Sequence, residues 1–150
     1  MKTFIDTNVI LEFFSYRAQF KYVQAIFNAA KQGAIELCTS MSCLSTAIYI
    51  MGLNLKDEGI HEPEKRNEIR KVLNSMLQYV DIESFDRPTA LRGLNDLSFK
   101  DLEDSLQYYC ALENQCDCLV TINLKHFKQA KGNMKVLDPK EFVSQYIEMV

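Results

Sequence analysis

A chain of 150 residues with 47% hydrophobic and 25% charged residues suits one globular domain, able to bury roughly two-thirds of the surface its unfolded form exposes. Its formal charge of −3 supplies no global attraction for nucleic acid, so a polynucleotide substrate would have to be drawn in by a local basic patch or by bound cations. No run of about eighteen apolar residues predicts a membrane span, and the short apolar opening broken at Asp6 does not read as a signal peptide.

In chain order, residues 2–5 read as a strand, Val9 to Phe14 as a short helix and Phe20 to Lys31 as a longer one stopped by Gly33. Ile35 to Thr39 predicts a second strand and Ser40 to Asn54 a helix, followed by a polar segment, Lys56 to Pro63, that carries the strong turn signals of the first half. Glu64 to Leu77 is a charged amphipathic helix, Val80 to Phe85 a strand, and Pro88 the first turn of a helix reaching Leu94. Ser98-Phe-Lys-Asp101 has the layout of a capping box and predicts a helix from Ser98 to Asn114. Cys118 to Thr121 and Lys135 to Leu137 supply two more short strands, and Asp138-Pro-Lys-Glu141 opens a last helix. Strands alternating with helices predict an α/β fold with a parallel sheet.

The five cysteines, Cys38, Cys43, Cys110, Cys116 and Cys118, lie mostly in apolar stretches, the pattern of core-packed thiols in a reducing cytoplasm. Cys116-Asp-Cys118 lacks the two-residue spacing of a zinc or redox pair.

Asp6 follows the apolar opening strand, a place where a carboxylate rarely serves the core. Asp101 and Asp104, three residues apart, share one face of the helix after Ser98, whereas Leu102, Leu106 and Tyr109 form a separate apolar stripe. Taken alone, those two acids are simply a well-charged helix start, favoured by free backbone amides and the helix dipole. In a parallel sheet, however, Asp6, Asp104, Thr121 and Asn123 all fall along the carboxyl-terminal edge, where open α/β sheets bind ligands. Carboxylates with hydroxyl and amide oxygens there make a site for Mg²⁺ or Mn²⁺, which can polarise a phosphoryl group and acidify a bound water.

Phe4-Ile-Asp-Thr-Asn-Val-Ile-Leu11, Asp101-Leu-Glu-Asp-Ser-Leu-Gln107 with Ala111 downstream, Leu119-Val-Thr-Ile-Asn-Leu-Lys-His-Phe127 and Val136-Leu-Asp-Pro-Lys-Glu-Phe142 resemble the successive signatures of PIN domains. The likeness runs over nearly the whole chain and is nearest to small bacterial PIN proteins, including VapC-type toxins. It implies a three-layer α/β/α sandwich in a single domain over 1–150. It also implies a Mg²⁺- or Mn²⁺-dependent endoribonuclease that hydrolyses RNA phosphodiester bonds, leaving 5′-phosphate and 3′-hydroxyl ends. By the same resemblance Asp6 matches the first family acid, Asp104 the helix-start acid and Asp101 a second acid just before it. Asn123 falls on a position that is Asp in many members and Asn in others, and Asn8 and Thr121 match polar residues that support the ligands. A homodimer, and an antitoxin whose tail enters the site, are implied on the same ground.

The chain departs from that pattern in one place. A Glu found in many members should fall near Thr46, yet Ser40 to Tyr49 contains no acid. The competing reading is therefore a catalytically degenerate PIN module that acts as a nucleic-acid- or protein-binding scaffold. Glu103 points about 200° around the helix from Asp101 and reads as a solvated surface acid, and Glu12 reads as solvent-facing. His61 and His126 read as surface histidines, although His126 or Lys125 stands near enough to the edge to touch a phosphate. Lys65, Arg66, Arg70 and Lys71 form the main basic cluster, read as a solvated helix face. Phe13, Phe14, Tyr16, Phe20 and Tyr22 read as core, with a surplus that would suit a homodimer face.

Overall fold

The computed structural model describes residues 1–130 and 132–147. The strands are β1 (Lys2–Ile5), β2 (Glu36–Ser40), β3 (Val80–Glu83), β4 (Cys118–Val120) and β5 (Lys135–Leu137). They form one parallel sheet in the order β3-β2-β1-β4-β5. The helices are α1 (Thr7–Ser15), α2 (Phe20–Lys31), α3 (Met41–Asp57), α4 (Glu64–Met76), α5 (Arg87–Leu94), α6 (Leu102–Glu113) and α7 (Pro139–Tyr146), with a 3-10 turn over Leu124–Phe127.

The central strands read as unbroken apolar runs because both faces are covered: Phe4, Ile5, Leu37, Cys38, Leu119 and Val120 are all sealed from solvent. Phe4 lies in register with Cys38 on one side and Leu119 on the other. From β1 the chain moves outward to β2 and β3, then returns through α5 and α6 to β4 on the far side of β1. Right-handed crossovers place outgoing and returning helices on opposite faces of the sheet, which gives the expected α/β/α layering. α1 packs on α2 and α3, α3 on α4, and α2 on α7, while α5 pairs with α6. The reversal between β1 and β4 is the switch point, where the loops diverge and leave a crevice at the carboxyl edge.

Short polar side chains start the helices on that edge. Asp6, Ser40, Asp86, Asp101 and Asp138 each accept a backbone N–H as the N-cap of the next helix, and Asp138 with Glu141 completes a capping box on α7.

Two boundaries differ from the sequence reading. α6 opens at Leu102, with Asp101 rather than Ser98 as its cap: Asp101 Oδ1 accepts the Asp104 N–H at 3.0 Å. Ser98 is occupied elsewhere, its N–H and hydroxyl both donating to Asp96 Oδ1 in the preceding turn. α3 continues past Asn54 to Asp57 because Leu55 packs into the core and extends the apolar face by another turn. All five cysteines are free and buried, with Cys38 Sγ and Cys116 Sγ 3.5 Å apart.

Candidate active site

Asp6 sits one residue beyond β1, its backbone N–H donating to Val120 O so that the strand pairing with β4 carries directly into the cap. The carboxylate is only 5% exposed. Oδ1 accepts the Thr7 N–H at 2.8 Å, and Oδ2 accepts the Thr121 hydroxyl at 2.9 Å. Asn8 closes the group: its Nδ2 lies 3.4 Å from both Asp6 Oδ2 and Thr121 Oγ1, and its Oδ1 accepts the Ile122 N–H. Asn123 joins through its backbone, the N–H donating to Thr121 Oγ1 at 3.1 Å, and its side chain does not cap the 3-10 turn that follows. The structure therefore brings Asp6, Asn8, Thr121 and Asn123 together across the switch point.

Asp104 enters from the first turn of α6 and is half-buried. Its Oδ2 lies 2.9 Å from His126 Nδ1, so the histidine read from sequence as an unpartnered surface residue is tied to a candidate site acid. The signal for it was positional: His126 follows Asn123 by three residues and sits in the 3-10 turn that leaves the same edge. Asp101 is exposed and stands at the N-cap of α6 rather than on its face, spending one carboxylate oxygen on the cap while its charge still bears on Asp104.

The electrostatics follow from this packing. Burial pushes the Asp6 carboxyl up to about 6 against the hydrogen bonds from Thr121 and Thr7, and the negative charges of Asp104 and Glu103 push it further. Burial also raises Asp104, with Asp101 adding to the effect and His126 opposing it. A carboxylate held above its usual range by desolvation and like charge is relieved by a cation, whose binding displaces the proton. The donors here are hard oxygens. Among the described residues no three of His, Cys, Asp or Glu stand together as a ready-made cage. The set fits a divalent ion that keeps several waters while touching Asp6 and Asp104.

A family model described as PIN domain matches residues 2–125. The chain belongs to the PIN domain family. It is 28% identical over 147 residues to Ribonuclease VapC1 of Aquifex aeolicus (strain VF5), covering 97% of this chain and 95% of that protein. Its fold resembles a toxin-antitoxin complex from Klebsiella pneumoniae, with a TM-score of 0.62, 18% identity, and coverage of 91% of this chain and 97% of that one. It also resembles VapBC2 from Rickettsia felis bound to a DNA fragment from their promoter, with a TM-score of 0.60, 16% identity and the same coverages of 91% and 97%.

This PIN domain treats the acid-free start of α3 in a specific way. The Thr46 hydroxyl donates to Glu103 Oε1 at 3.4 Å, so an acid from α6 reaches over the place where α3 has none. Glu103 is exposed, as its helical angle predicts, yet its charge bears on both Asp6 and Asp104. Glu12 corrects its sequence reading: it is 4% exposed rather than solvent-facing, and Oε1 accepts the Gln19 N–H, which commits it to the α1–α2 turn.

Proposed function

We propose that this PIN domain is a Mg²⁺- or Mn²⁺-dependent endoribonuclease and the toxin of a toxin–antitoxin pair, with the whole chain acting as a single domain. The observation that carries the reading is the convergence of the buried Asp6 and the half-buried Asp104 at the β1/β4 switch point, where their burial makes cation binding favourable. The likeness to Ribonuclease VapC1 supports RNA as substrate, and the toxin–antitoxin neighbours support an antitoxin partner. A homodimer is part of the same proposal. A reducing cytoplasm fits the five free, buried thiols, and no helix among the described residues is long and apolar enough to cross a membrane.

In this mechanism Asp6 and Asp104 would hold the ion, and a divalent cation bound there would supply Lewis-acid polarisation of a phosphoryl oxygen and a more acidic water. Thr121 and Asn8 fix the Asp6 carboxylate by hydrogen bonds to Oδ2, while Thr7 N–H fixes Oδ1. His126 orients Asp104 in the same manner. Asp101 caps the start of α6 through the Asp104 N–H, and Asn123 steadies Thr121 through its backbone N–H.

The test is calorimetric titration of the wild type and Asp104→Asn with Mn²⁺ and Mg²⁺, with cleavage of a mixed-sequence single-stranded RNA assayed on the same samples. Binding and cleavage in the wild type, both lost in Asp104→Asn, support the nuclease. Absence of both in the wild type at millimolar metal overturns it in favour of the degenerate module.

A further inference from the structure

The candidate active site is acidic and so is the chain, which leaves open how a polyanion approaches it. The largest basic cluster in the sequence does not solve this. Lys65 and Arg66 on α4 both face Glu62, at 3.7 and 3.5 Å, and Arg66 and Arg70 border an apolar groove over Leu44, Ile48 and Leu73.

A different basic surface lies directly beside Asp104. A pocket of about 490 Å³ is lined by Ser98, Lys100, Asp101, Lys125, His126 and Gln129, between the α5–α6 loop and the 3-10 turn after β4. Both walls are tied to the candidate site. Asp101 caps the helix at the Asp104 N–H, and His126 Nδ1 contacts Asp104 Oδ2. With Nδ1 engaged there, the ring nitrogen of His126 left for a ligand in the pocket is Nε2. Lys100 and Lys125 are exposed, and among the described residues neither is in an ion pair. Two ammonium groups and an imidazole thus line one pocket, with Asp101 the carboxylate of its lining and Asp104 in contact with the imidazole.

We propose that this pocket binds a backbone phosphate of single-stranded RNA next to the phosphodiester that is cleaved, with Lys100 and Lys125 as its charge partners. The proposal rests on the nuclease reading. Lysine suits the role because a compact ammonium on a flexible stem neutralises a phosphate without demanding one geometry or one base. One strand lying across the edge would then present adjacent phosphates to surfaces of opposite character, one to the acids and their cation and the next to the lysines. The contact positions the strand and carries no sequence information.

The experiment measures binding of a fluorescein-labelled, unstructured single-stranded RNA to the full-length Asp6→Asn protein by anisotropy between 50 and 200 mM KCl, cleavage being disabled. Adding Lys100→Ala and Lys125→Ala is expected to weaken binding roughly tenfold at the lowest salt and to lower the slope of log K against log salt by about 1. The control pair Lys65→Ala and Arg70→Ala is expected to change binding by less than about twofold, since those side chains sit on another face. In the otherwise wild-type chain the Lys100/Lys125 pair is expected to raise KM with kcat largely kept. Unchanged affinity and salt slope in the Lys100/Lys125 variant, or a loss confined to the α4 pair, overturns the proposal. A wild type that binds and cleaves RNA while the lysine variants behave like it removes the pocket and leaves the nuclease reading standing. A wild type that neither binds nor cleaves RNA removes both.

Discussion

Gln107 Oε1 accepts a hydrogen bond from the Ser40 hydroxyl at a place where both side chains are sealed from water, Gln107 being 0% exposed. The other end of the same amide donates to Ser42 Oγ at 2.7 Å, and Ser40 Oγ in turn accepts the Cys43 N–H that starts α3. One glutamine thus bolts α6, which carries Asp104, to the cap of α3. Gln107→Leu removes the amide from both hydroxyls, leaving Ser40 Oγ and Ser42 Oγ as each other's side-chain partner at 3.0 Å, and is expected to cost about 1–3 kcal/mol, read from the midpoint of urea unfolding. A midpoint equal to that of the wild type would show that the network contributes nothing to stability.

Asp6 makes stability depend on pH in a definite direction. Its carboxyl titrates near 6 in the fold and near the ordinary 3.8 when unfolded, so between those values the folded state holds the proton more tightly. By linkage the metal-free protein loses stability as pH rises from about 4 to about 6 and carries the full penalty above that, roughly 3 kcal/mol for a shift of this size. Asp104, raised in the same direction, adds to the slope. Asp6→Asn is expected to flatten the curve and, in EDTA at pH 8, to melt higher than the wild type while losing Mn²⁺ affinity and cleavage. Parallel wild-type and variant curves from pH 4 to 8 would contradict this origin of the Asp6 shift.

Glu103 is the acid best placed to offset the neutral start of α3. Removing its charge in Glu103→Gln is expected to weaken Mn²⁺ binding about three- to tenfold, the effect of an outlying charge rather than of a direct ligand, with little change in folding stability. Moving the charge to α3 by combining Glu103→Gln with Thr46→Glu is expected to restore it. Titration calorimetry on the single and double variants decides; an affinity untouched by Glu103→Gln assigns the residue to solvent alone.

Gln115 ends the turn after α6 with φ at +57°, in the left-handed region that suits glycine, and it is exposed. Gln115→Gly is expected to stabilise the protein by about 1 kcal/mol, raising Tm by a few degrees without altering cleavage. No change or a lower Tm would mean that the Gln115 side chain contributes more than its backbone strain costs.

Much of this architecture is legible in the sequence for plain physical reasons. Five short apolar runs, each followed by a capping Asp or Ser or by polar turn residues, leave little choice but a parallel sheet with helices between its strands. Asp6, Asn8 and Thr121 could be brought together from the sequence because each lies within three residues of a strand end, and the carboxyl edge collects such positions. What the sequence hid depended on side-chain reach. Ser98 and Asp101 both have the chemistry of a cap, and only the turn at Asp96, which captures Ser98, decides between them. Glu12 looks like a surface acid until the backbone N–H of Gln19 is seen to need it. His126 has no partner at any familiar sequence spacing, because Asp104 is brought to it by the return of α6 across the sheet.

The hydrogen bond between Thr121 and Asp6 joins residues 115 positions apart in the chain. The acid precedes α6 in the chain, and the strand that seats it follows α6. A polypeptide stopped before β4 has one flank of β1 unpaired and no hydroxyl to hold Asp6, and a version truncated at residue 115 should be inert towards RNA. For a protein proposed to cut RNA, that long span means that the acid is seated only after β4 has been made.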